Sequence, residues 1–86
     1  MPRICEFYGI VIEMYFRDHP PPHFHCRYGG EEAVIAIATG ERIAGSLPGR
    51  ALRLVREWTL MHREELDANW ELARARQALV GIAPLP

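Results

Sequence analysis

Between residues 7 and 16, large apolar side chains recur at every even position, Tyr8, Ile10, Ile12, Met14 and Phe16, while the odd positions include Gly9, Glu13 and Tyr15. A period of two is strand geometry, so the run predicts one strand with an apolar and a mixed face. Residues 17–22 break the pattern. Their three consecutive prolines have no amide to give to a ladder and push each preceding residue towards an extended form, which predicts a stiff loop. Alternation resumes over residues 23–28, with Phe24, Cys26 and Tyr28 on one side and His23, His25 and Arg27 on the other. An antiparallel hairpin about the loop then sets Arg17 opposite His23, Tyr15 opposite His25, and Glu13 opposite Arg27, the last an ion pair. A slip of one residue would bury the histidines and expose Phe24, so the assignment of faces is strongly specified.

Gly29-Gly30 predicts a tight turn into a strand over residues 33–38, with Ile35 and Ile37 on the core face. Val34 and Ala36 on its other face are small and predict a shallow depression beside His25 and Arg27. Thr39-Gly40 turns the chain again, and residues 42–44 make a short fourth strand. Ser46-Leu47-Pro48 then opens a helix, serine as cap and proline in the first turn. Ala51, Leu54, Val55, Trp58 and Met61 follow at helical spacing, and the same stripe continues through His62, Glu65 and Asn69. The spacing fits one long helix or two; Glu64-Glu65 suits a new first turn, and the reading adopted is two, over 48–61 and 63–77. The second is apolar on two faces, Leu66, Trp70 and Ala73 against Ala68, Leu72, Ala75 and Leu79, which predicts an interface. Residues 80–86 are apolar without any period and are expected to pack on the sheet or on another chain. The chain as a whole, residues 1–86, reads as a single α+β domain: an antiparallel sheet of three or four strands followed by two helices packed on one face (ββββαα).

Composition narrows the function classes. At 86 residues a single core is marginal, and oligomerisation is an expectation. A formal net charge of −1 gives no overall attraction to nucleic acid or anionic lipid. All ten basic residues are arginine. No run approaches the roughly 20 apolar residues that span a bilayer, and the first residues show no apolar leader, so a cytoplasmic location with reduced Cys5 and Cys26 is expected.

The chemistry-bearing residues cluster around the prolines. His23 and His25 project from one strand face and His19 precedes the loop, a set suited to zinc or another borderline divalent metal, with Asp18 as a further ligand or as an acceptor orienting an imidazole. The alternative is a solvated polar face. Metal-free RNA cleavage is a second possibility, with His23 and His25 as acid and base, Tyr15 beside them, and Arg27 stabilising charge on phosphorus. His62, Glu65 and Asn69 join such a site only if their face meets the proline loop; otherwise they cap a helix break. Arg50, Arg53 and Arg56 form a row for contacts with nucleic acid or a partner protein, or else a solvated face in which Arg53 pairs with Glu57. Nucleophile elbows, phosphate-binding glycine loops and paired-cysteine zinc motifs are absent.

Several stretches together carry a family likeness: Phe7-Tyr8-Gly9-Ile10-Val11-Ile12, Asp18-His19-Pro20-Pro21-Pro22-His23-Phe24-His25, Tyr28-Gly29, Leu47-Pro48, Val55-Arg56-Glu57-Trp58 and Glu65-Leu66-Asp67-Ala68-Asn69-Trp70. The chain resembles a small bacterial family of unknown function whose members resemble components of toxin–antitoxin-type gene pairs. The resemblance implies a small cognate protein as partner and action on RNA or DNA, and carries no catalytic residues. The expectation is therefore a partner-binding component of such a two-protein module with a histidine-rich site on its sheet. The alternative is a small ribonuclease or metal-binding protein using His23 and His25.

Overall fold

In the computed structural model, which describes residues 2–86, Tyr8 and Gly9 both adopt left-handed backbone, at φ 50° and 79°. Two successive positive φ angles are what a tight hairpin turn demands, and glycine supplies the second without steric cost. The chain therefore folds back here, pairing β1 (Arg3–Phe7) with β2 (Ile10–Glu13). The expected single strand over residues 7–16 is thus two strands with a turn between them, and the sheet has five strands, not three or four. The turn reverses parity. Cys5 and Phe7 point into the core before it and Ile10, Ile12 and Met14 after it, while Tyr8, apparently in phase, is exposed at the tip. A bulge between Arg3 and Cys5 lets Ile4 be buried as well.

β3 (His23–Tyr28), β4 (Glu31–Ala36) and β5 (Arg42–Gly45) complete an antiparallel meander in chain order. Glu13 lies opposite His25 and Val11 opposite Arg27, two residues from the expected register, because β2 leaves the ladder after Glu13. A shift of two keeps every residue on its face, so Phe24 and Cys26 are still buried. Across the next turn Arg27 pairs with Glu32 and His25 with Val34, so Glu32 stands beside the histidines where a shallow depression was expected.

α1 (Gly49–Met61) and α2 (Arg63–Arg74) are separated at His62, whose φ of −126° interrupts the helix. Pro48, and not the expected Ser46, occupies the N-cap of α1, with no side-chain cap; the Ser46 amide donates to Glu32 O at 2.9 Å. Val55, Trp58, Leu66 and Trp70 from the helices join the apolar residues of the sheet in one core. The Trp58 ring lies 5.5 Å from Phe7 and 5.7 Å edge-on to Phe24. Burial of each such side chain stabilises by about 1.5–3 kcal/mol.

The C-terminal segment is held by its own chain. Asn69 donates to Val80 O (2.8 Å) and accepts from Val80 N (2.9 Å), Trp58 Nε1 donates to Ala83 O (2.8 Å), and the Tyr8 hydroxyl donates to Pro86 O (2.7 Å). Ile82 and Leu85 are buried as a result. On the second face of α2, Leu72 is half-buried, and Leu79 beyond the helix packs against the core; Ala68 and Ala75 are exposed. No helix of the described residues is long and apolar enough to cross a membrane.

Candidate metal centre

Period-two geometry puts His23 and His25 on the sheet face away from Phe24, and the proline loop brings Asp18 back over them. Asp18 Oδ2 lies 2.9 Å from His23 Nε2 and 3.2 Å from His25 Nε2, while Oδ1 accepts the His19 amide at 2.8 Å. Burial alone would raise the pKa of this carboxyl; hydrogen bonds from the His19 amide, His25 and His23 outweigh burial and hold it below the usual carboxylate value.

The other ring nitrogens face outward to acceptors. His23 Nδ1 lies 2.7 Å from Pro21 O, and a carbonyl can only accept, so Nδ1 carries a hydrogen. A neutral His23 then presents the bare lone pair of Nε2 to a carboxylate oxygen. His25 Nδ1 lies 3.0 Å from Glu32 Oε2, so both its nitrogens face carboxylates. A neutral imidazole has one hydrogen for two such contacts. The cluster balances only with added positive charge between the nitrogens and Asp18, either protons or a metal ion.

The surroundings fix the ring planes. Tyr15 stacks on His25 at a centroid distance of 4.0 Å and 16°, and Trp70 from α2 approaches the His23 ring at 5.2 Å. Tyr15 is thus beside His25, but burial and then the charges of Glu32 and Glu13 raise its hydroxyl pKa and keep it protonated. Arg27 grips buried Glu13 through Nε–Oε1 (3.1 Å) and Nη2–Oε2 (3.0 Å), a bidentate pair that occupies its guanidinium.

His19 is exposed and outside the cluster; among the described residues the group with metal-ligand spacing is Asp18, His23 and His25, whose ligand atoms lie within 4.8 Å of one another. His62 Nδ1 meets Glu65 Oε1 at 2.5 Å, and Asn69 is committed to Val80, so this polar stripe secures the helix break and the C-terminal segment. The α2 residues that face the proline loop are Trp70 and Arg74. Arg50 lines a separate groove with Tyr8 and Tyr28, Arg56 pairs with Glu41 at 3.1 Å, and Arg53 is exposed without a pair to Glu57 among the described residues. Sequence reasoning missed Glu32, yet a signal existed: a two-residue turn at Gly29-Gly30 requires Glu32 to lie opposite Arg27, on the histidine face.

The donor set fits a divalent ion. Ligands at zinc distances are separated by about 3.4 Å in a tetrahedron and about 3 Å in an octahedron, close to the 2.9 Å and 3.2 Å from Asp18 Oδ2 to the two Nε2 atoms. A family model described as a domain of unknown function, DUF4160, matches residues 9–71, which includes the whole cluster. No curated protein and no solved structure matches the chain.

Proposed function

The chain belongs to the DUF4160 family of domains of unknown function, and we propose that this domain is built around a divalent metal ion of the zinc type held by Asp18, His23 and His25. The observation that carries the reading is the commitment of all four imidazole nitrogens. Both Nε2 atoms converge on Asp18 Oδ2, and both Nδ1 atoms point to outer acceptors, Pro21 O and Glu32 Oε2. Ligating histidines characteristically donate the second ring N–H to a carbonyl or carboxylate, which fixes the tautomer and raises ligand basicity. Three protein ligands leave coordination positions open, the hallmark of a catalytic rather than a structural site. A metal held there by Asp18, His23 and His25 would supply Lewis acidity, so hydrolysis is the reaction class the site suits.

Metal analysis of the purified, tag-free protein tests this. The expected result is about one zinc per chain, lost in His23→Ala/His25→Ala and in Asp18→Asn, with Glu32→Gln weakening zinc affinity about 10–100-fold. Wild-type protein that neither retains nor binds zinc, cobalt or manganese overturns the reading and leaves a protonated Asp–His cluster.

A second reading rests on the motif resemblance to toxin–antitoxin-type gene pairs: the domain binds a small cognate protein. A groove of about 930 Å³, lined by Tyr8, Tyr28, Leu54 and Met61 among others, favours it. Tyr8 and Met61 are more than half exposed there, at 61% and 54%, an apolar surface suited to a partner.

A further inference from the structure

Arg17, Asp18, Pro20, Trp70 and Arg74 line a cavity of about 390 Å³ that opens beside the metal cluster and shares Asp18 with it. We propose that this cavity binds the phosphoryl group of a phosphate ester, with Arg17 and Arg74 gripping non-bridging oxygens while the group faces the metal. The inference rests on the metal reading above and adds the substrate class.

Three observations carry it. First, the two guanidinium groups have little else to hold. Arg17 makes no ion pair among the described residues, and Arg74 reaches only Glu71 Oε2, at 3.9 Å, both side chains being well exposed. Neither pairs with Asp18, whose oxygens are taken by the His19 amide and the two imidazoles.

Second, Arg17 is held in place by the backbone. Its φ of 55° is in the left-handed region, uncommon for an arginine, and its amide donates to Ala73 O at 3.2 Å. That bond ties the start of the proline loop to the residue before Arg74, so one tether holds the backbone at both arginines beside the same cavity. A non-glycine residue held in this region by tertiary contact is the kind of local cost that collects at binding sites.

Third, the charges do not cancel. Asp18 balances one unit of a divalent ion, the imidazoles are neutral as ligands, and the two arginines remain. With Glu32 on His25 and Glu71 beside Arg74 also counted, the loaded site keeps a surplus of about one positive charge, with Arg17 unpaired among the described residues, and selects an anion. Guanidinium forks match the tetrahedral array of phosphoryl oxygens, and a phosphoryl group has enough oxygens to meet two forks and a metal at once, which a carboxylate lacks.

The test uses cobalt as the metal, because its visible spectrum reports the coordination sphere, and phenyl phosphate as the probe, with benzoate of similar size as control. Cobalt-loaded wild type is expected to show a saturable spectral change with phenyl phosphate and to bind benzoate at least about tenfold more weakly. Arg74→Gln, on an exposed helix position, and Arg17→Gln/Arg74→Gln are expected to bind cobalt as wild type does and to lose about 10-fold and about 100-fold in phenyl phosphate affinity. Equal affinity in wild type and both variants, or equal affinity for benzoate, overturns the phosphate pocket while leaving the metal site standing. Failure of wild type to bind cobalt removes the metal reading, and this inference with it. Phosphodiester and monoester sources are separated by repeating the titration with diphenyl phosphate: binding within tenfold of phenyl phosphate assigns a diester such as a nucleic-acid backbone, and weaker binding assigns a terminal phosphate.

Discussion

At the scale of single residues, burial decides which of the reactive side chains remain available. Cys26 directly follows His25 and is a natural suspect as a metal ligand or nucleophile. Strand alternation turns it to the opposite face, where it is fully buried and its thiol approaches Ala33 O at 3.5 Å. Burial above all, with the charge of Glu32, pushes its pKa up to about 12. The group is therefore protonated when folded, whereas in the unfolded chain it ionises near its ordinary value of 9.0. Because the folded value is the raised one, its contribution to stability is complete below the unfolded value and is lost as pH climbs towards the folded one. Urea midpoints are expected to fall between about pH 8 and pH 10, with a shallower fall in Cys26→Ala. A thiol reagent at about pH 8 should modify Cys26 only in denaturant; rapid reaction of the native protein would contradict this burial. The division between inert Cys26 and available His25 was legible in the sequence because it needs only a period of two. The partnership of Asp18 with both imidazoles was not, since it depends on how far residues 14–22 carry the chain back across the sheet.

At the scale of elements, the split strand and the aperiodic C-terminal segment both lie beyond what a sequence period reports. Even-numbered positions from Tyr8 to Phe16 are all large and apolar, so a hairpin turn inside the run leaves the alternation looking intact. Both ends of that run are in fact exposed, Tyr8 at 61% and Phe16 at 44%. The signal was the switch from Cys5 and Phe7 to Ile10 and Ile12, which only a two-residue turn reconciles with one core. Residues 80–86 have no period because side chains from three other elements or turns, Tyr8, Trp58 and Asn69, hold their backbone directly. Asn69, only 1% exposed, matches both hydrogen-bonding groups of Val80 and acts as a surrogate strand partner. Asn69→Ala is expected to cost about 1–3 kcal/mol by urea unfolding and to raise hydrogen exchange at the Ile82 amide, which donates to Ile4 O at 2.9 Å. Loss of stability with the Ile82 amide still protected would show that Asn69 acts through the core and not by clamping this segment.

At the scale of the whole molecule, the fold separates two surfaces. Trp58 of α1 packs on one face of the sheet against Phe7 and Phe24, and the other carries the Asp18, His23 and His25 cluster under the proline loop, where α2 meets it through Trp70. The apolar groove lies elsewhere, between the β1–β2 and β3–β4 turns and α1, and shares no lining residue with the cavity of Arg17 and Arg74. Separate surfaces on a rigid sheet predict separable functions, provided that the partner implied by the gene-pair resemblance docks in the groove. Met61→Glu with Tyr28→Ser places a charge and removes an aromatic anchor there, at positions 54% and 41% exposed where folding tolerates change. This variant should bind the small partner protein proposed above at least about tenfold more weakly while keeping its zinc. His23→Ala/His25→Ala should do the reverse, losing zinc while holding the partner. The comparison requires both measurements on both variants, with circular dichroism confirming that each is folded. If removing the metal also releases the partner, the histidine site itself is the interface, and the groove is an exposed apolar surface without that role.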